Sequence, residues 1–134
     1  MDIIQFISEN DVEKSNACVS VEMLENAENT LGLKFGEELT EYLLKYGYLA
    51  FEYIEFYGMN SRQGLTSDMI TQTLYLHKYF PSTSTFVAIE NQGDGYYILV
   101  NGIDEIYEYN SERNTLNQTG LSLFAFILER FRSL

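Results

Sequence analysis

Ile3, Ile4, Phe6 and Ile7 place apolar groups at helical spacing, and Asn10-Asp11 breaks the pattern, which predicts a short leading helix. Ser20 then precedes Val21, Leu24, Ala27 and Leu31, apolar every three or four residues, with Glu22 in the first turn and Gly32 just past the end. A side-chain cap, an early acid and a terminal glycine together predict a second helix. Gly36-Glu37-Glu38 opens a third, whose stripe of Leu39, Tyr42, Leu43 and Tyr46 ends at Gly47.

From Tyr48 to Tyr57 the spacing changes from helical to alternating. Phe51, Tyr53, Glu55 and Tyr57 fall on one side, and Glu52, Ile54 and Phe56 on the other. The pattern predicts one strand, with or without a bulge, and neither of its faces is clearly polar. Gly58 to Gly64 reads as a loop. Thr66-Ser67-Asp68 offers caps for a helix through Ile70, Thr73, Leu74 and His77, which Pro81 stops. Phe86 to Glu90, Tyr96 to Val100 and Glu105 to Tyr109 are three short strands. Asn91-Gln92-Gly93-Asp94-Gly95 and Asn101-Gly102 separate them, both of them hairpin signals. After a polar turn from Asn110 to Asn114 comes a brief extended piece around Leu116. Leu121, Phe124, Ile127, Leu128 and Phe131 then share one face of a closing helix.

The order of elements predicts an α+β fold, one domain over residues 1–134, with an antiparallel sheet of about four to six strands and helices packed mainly on one face. Most of Tyr42, Tyr46, Tyr75 and Tyr79, at helical spacing, are expected in or at the edge of the core. The strand tyrosines Tyr53, Tyr57, Tyr96, Tyr97, Tyr107 and Tyr109 are the better candidates for a binding surface.

Charge narrows the partner. The net charge is -12, and residues 1–60 carry twelve acids against Lys14, Lys34 and Lys45, a local net of -9. Such a chain repels phosphate backbones and anionic lipid headgroups and attracts cationic partners, so neither nucleic acid nor a membrane is an expected ligand. Cys18 is the sole cysteine, and the start of the chain has no basic segment before an apolar run, so the cytoplasm is the expected location.

Catalytic and metal chemistry finds little support. His77 is the only histidine, set mid-helix with no neighbouring acid or nucleophile, so a triad or a multi-histidine zinc site is not expected. Carboxylate pairs such as Glu37 with Glu41 are what a solvated helix face in an acidic chain produces by chance. Gly93-Asp94-Gly95 lacks the Lys-Ser or Lys-Thr of a P-loop and the acid ladder of an EF-hand. No cofactor and no enzymatic activity are expected.

The order of motifs is familiar as a set. A helix ends in Glu28-Asn29-Thr30-Leu31-Gly32-Leu33, and Leu39-Thr40-Glu41-Tyr42-Leu43-Leu44-Lys45-Tyr46-Gly47 follows. Later come Gly93-Asp94-Gly95-Tyr96-Tyr97-Ile98 and the Phe-rich start of the last helix, Leu121 to Leu128. This order, from about residue 20 to the C-terminus, resembles the SUKH superfamily (Smi/Knr-type), except that Lys34-Phe35-Gly36 stands where that family has a Leu-Pro step. The resemblance implies an α+β binding scaffold used chiefly by bacterial immunity proteins, which bind and block a toxin domain, often a nuclease. It implies no shared catalytic residues and supplies no site residues.

The expected function is therefore a cytoplasmic immunity protein that binds a basic toxin domain. A regulatory adaptor for host proteins is the alternative, and a hydrolase using His77 or a carboxylate pair is a third reading. From the residues themselves, the expected contacts are Glu52, Glu55 and Tyr57, Asp94 and Tyr96 at the hairpin, and Glu105 and Tyr107. If these fail, the helix acids Glu37, Glu38 and Glu41 are next.

Overall fold

A computed structural model describes residues 1–60 and 68–134 of the chain. Among the described residues, helices α1 (Ile3–Glu9), α2 (Val21–Leu31), α3 (Glu37–Lys45), α4 (Met69–Tyr79) and α5 (Leu123–Arg132) combine with seven strands. The strands are β1 (Glu13–Lys14), β2 (Leu49–Phe51), β3 (Ile54–Phe56), β4 (Val87–Gly93), β5 (Tyr96–Val100), β6 (Glu105–Asn110) and β7 (Thr115–Ser122). They form two antiparallel sheets, β1-β2-β3 and β4-β5-β6-β7, and with the helices they make an α+β fold.

The helices start where the side-chain chemistry directs. Ser20 accepts the N–H of Met23, and Asp68 accepts that of Thr71, so each satisfies an otherwise orphaned donor of the first turn. Thr66 and Ser67, the other cap candidates, and the loop from Ser61 to Gly64 lie outside the described residues. Gly32 closes α2 in the left-handed region at φ 68°, as a helix-ending glycine should.

The predicted single strand from Tyr48 to Tyr57 is in fact two. Phe51 pairs with Ile54, and the chain reverses through Glu52-Tyr53 with Glu52 at φ 55°. Nothing in the sequence announces this reversal, because no glycine, asparagine or proline interrupts the aromatic run. Leu49, Phe51, Ile54 and Phe56 still turn one way, into the core, while Ala50 and Glu55 turn the other. Glu13 of β1 pairs with Ala50, a contact too short to leave any alternating signature.

The second sheet is a meander. Asp94 (φ 54°) and Gly95 (φ 83°) make the tight turn between β4 and β5, so the turn occupies only the last two residues of the predicted loop. The piece around Leu116 is the end of an eight-residue strand, β7. The outer edge of β4 is closed. Ala88 donates its N–H to Thr73 Oγ1 of α4 (2.9 Å), and Tyr57 donates to the carbonyl of Ile89 (2.7 Å), joining the two sheets.

One apolar cluster runs through the chain from Ile3 to Phe131. Phe6 stacks on Phe131 at 5.7 Å between centroids, and Phe51 and Phe56 meet Phe131 edge-on at 5.6 and 5.5 Å. The first and last helices are thereby held against the β2–β3 hairpin.

Two long-range polar contacts fix the helices. Asp104, at φ 65° before β6, accepts the N–H groups of Glu38 (2.9 Å) and Leu39 (3.1 Å), capping α3 from the far side of the sequence. Glu38 in turn accepts the N–H of Phe124 at the start of α5 (2.8 Å). Gly36 is required beneath Asp104, since a Cβ there would lie 2.4 Å from its carboxylate.

Candidate functional site

Among the described residues Tyr53 is the most exposed large apolar side chain, 80% accessible. The left-handed turn at Glu52 lifts it clear of the sheet, at a conformational cost of about 1 kcal/mol. Two hollows share it. One, of about 540 Å³, is lined by Phe51, Glu52, Tyr53 and Leu134. The other, about 490 Å³, lies between the β2–β3 and β4–β5 hairpins and is lined by Tyr53, Glu55, Glu90, Asn91, Gln92, Gly93 and Arg130.

The floor of this cleft is an ion pair. Arg130 of α5 reaches Glu90 with two hydrogen bonds, Nε to Oε1 at 3.2 Å and Nη2 to Oε2 at 2.5 Å. Glu90 is only 2% exposed, and Gln92 Nε2 donates to it as well. The hydrogen bond to Glu90 raises the pKa of Arg130 and so favours the charged guanidinium.

Glu55 on the cleft wall has its pKa raised, chiefly by burial and then by the negative charge of Glu13. An acid whose folded pKa is raised binds its proton more tightly folded than unfolded. Its ionisation therefore opposes folding at neutral pH, and this opposition lifts as pH falls into the carboxylate range. The stability difference between wild type and Glu55→Gln is expected to move in favour of wild type as urea melts are repeated from pH 7 downward. A constant difference would show that Glu55 ionises as freely folded as unfolded.

The structure sorts the seven expected contacts into three groups. Glu52 and Glu55 border the cleft or its neighbour, and Asp94 and Tyr96 follow Gly93 in the hairpin that forms the second wall. Glu105 and Tyr107 lie elsewhere. The register puts Tyr96, Ile98 and Glu108 on one face of the sheet and Tyr97, Tyr107 and Tyr109 on the other, with Glu105 on that second face. There Glu105 accepts from Asn101 and Gln118, both at 2.8 Å, and Tyr107 packs on Phe86 at 5.0 Å.

Tyr57 sits in the interior. It is 7% exposed, and burial, reinforced by nearby Tyr97, pushes its pKa up to about 12 although Asn91 hydrogen-bonds it. Tyr109, also expected as a surface candidate, is fully buried and donates its hydroxyl to Asn114. Conversely Tyr75 and Tyr79, expected in or near the core, are exposed on α4 with their rings 4.9 Å apart. His77 bonds the carbonyl of Phe86 through Nε2 at 2.7 Å, tying α4 to the loop before β4. Sequence reasoning passed over Glu90 and Arg130, forty residues apart, because neither carries a local mark of its partner.

The cleft is thus polar, lies between two hairpins and carries one projecting tyrosine at its edge. A model of the family described as SUKH_5, SMI1-KNR4 cell-wall, matches residues 1–132. The chain belongs to the SUKH superfamily. No individually curated protein matches it. Membership fits an immunity-type role in which the domain binds another protein. Among the described residues no helix is long and apolar enough to cross a membrane.

Proposed function

We propose that this protein is an immunity protein that neutralises a cognate toxin domain, a basic nuclease, by seating against its cationic site in the cytoplasm. It acts by binding and performs no chemistry. The observation that carries this reading is Tyr53, projecting beside Glu52 and Glu55 and sharing a cleft with Asn91, Gln92 and Gly93 of the β4–β5 hairpin. A nuclease must present Lys and Arg to hold phosphate, and an acidic rim around an aromatic anchor complements such a surface. The acids accelerate encounter and the aromatic anchor slows release.

The test is co-expression with a toxin domain encoded beside this protein, scored by growth and by recovery of a complex. Survival with a co-purifying complex is the expected result. Death despite folded protein at matching levels would sink the reading for that toxin and favour an adaptor with non-toxic partners. In the purified pair, the double substitution Glu52→Lys with Glu55→Lys should slow association ~10-fold at low salt, and raising salt should shrink the gap. An association rate indifferent to salt would remove electrostatic steering from the mechanism.

A further inference from the structure

β7 is the outer strand of the β4-β5-β6-β7 sheet, and its sequence, Thr115 to Ser122, contains no charged residue although charged residues make up 21% of the chain. Its second half is protected. The pairing with β6 jumps from Gln118 to Ser122, and Gly120 takes φ 82°, a bulge that twists the strand out of line. Its first half is regular. Thr115, Leu116, Asn117 and Gln118 pair in unbroken register with Asn110, Tyr109, Glu108 and Tyr107. Alternate residues of such a strand direct their N–H and C=O groups away from β6. Thr115, Asn117 and Gln118 are exposed, and no hydrogen bond from elsewhere in the described chain occupies this edge. The opposite edge, at β4, is closed by Thr73 and Tyr57.

We infer that the Thr115–Gln118 edge pairs antiparallel with the same edge of a second copy, joining two four-stranded sheets into one of eight. Charge selects this occupant. A chain of net charge -12 repels itself over most of its surface, and an edge free of acid is where two copies can meet without a like-charge contact. The same lack of acid gives a cationic foreign strand nothing to pair with along this edge. In a two-fold antiparallel pairing centred on Asn117, Asn117 faces Asn117 of the second copy and Leu116 faces its Gln118, neutral side chains that can hydrogen-bond or pack.

Four residues of edge are a small contact against long-range repulsion, so the dimer forms with rising concentration and is strengthened by salt, which screens the repulsion. This salt dependence is opposite in sign to that of a steered toxin complex. Sedimentation velocity of the full chain, across concentrations at low and high salt, should show the mass doubling, earlier at high salt. Asn117→Lys should hold the protein monomeric, because two new ammonium groups would meet near the two-fold axis, while Glu108 opposite position 117 on β6 keeps the fold favourable. If that variant fails to fold by circular dichroism, amide exchange on the wild type decides. Slowed exchange within Thr115–Gln118 at dimeric concentrations supports the pairing, and unchanged exchange there overturns it. A chain monomeric under every condition, or a dimer untouched by Asn117→Lys, also overturns it.

Discussion

Arg130→Met is expected to lower the unfolding free energy by about 3 kcal/mol, the low end for breaking a buried ion pair. The substitution keeps the apolar stem of the side chain but removes both hydrogen bonds to Glu90, whose side chain is 3% exposed against 26% for Arg130. Glu90 would be left as an uncompensated charge beneath the cleft, with Gln92 as its remaining side-chain donor. Loss of desolvated charge balance, more than loss of contact, dominates the effect. Combining Arg130→Met with Glu90→Leu should therefore recover most of the stability, since replacing both partners by apolar groups removes the stranded charge. Arg130→Lys should fall between, because an ammonium cannot reproduce the two-pronged contact. Urea titrations of the three variants measure this directly. If the double substitution is as unstable as Arg130→Met alone, the pair acts through packing, and the electrostatic account fails.

Asp104→Ala is expected to cost about 2–3 kcal/mol. Its carboxylate serves two backbone donors at the start of α3, and Gly36, which precedes that helix, has no side chain to replace it. Part of the loss comes from placing alanine at φ 65°. Asp104→Gly separates the two contributions, since glycine accepts that backbone freely yet offers no cap. The glycine variant should thus be destabilised mainly by the lost cap, and Asp104→Asn, which tolerates the conformation and keeps one acceptor, least of all. Denaturant midpoints with unchanged slopes would support this order. A glycine variant as stable as wild type would mean that the cap contributes nothing and that strain alone explains the alanine result.

These two sites also show where sequence reading stops. All five helices were legible because their signals are local: Ser20 before Val21, Gly32 after Leu31, and apolar stripes at 3.6-residue spacing. The β4–β5 hairpin was legible for the same reason, through Asp94-Gly95. The reversal at Glu52-Tyr53 was not, because what permits it is tertiary: Phe51 and Ile54 pair only once both are pressed against the core beside Phe6 and Phe131. Of the candidate site, the acids and the tyrosine excess could be read, but not which tyrosines face outward. Tyr57 and Tyr109 alternate like surface residues yet are covered, Tyr57 by the junction between the sheets and Tyr109 by Phe80 and the β6–β7 turn. Asp104 and Glu90 act over 65 and 40 residues respectively, distances at which a single sequence carries no pairing signal.

The contacts of Phe6 with Phe131, of Asp104 with α3, and of Glu38 with α5 also set a timetable for synthesis. At typical translation speeds, Phe6 leaves the ribosome on the order of ten seconds before its stacking partner is made. During that interval α1 has no Phe131 to pack against and α3 no Asp104 at its start. The domain can thus complete its core only once α5 has been translated, and a nascent chain halted before α5 would remain exposed to proteases and chaperones.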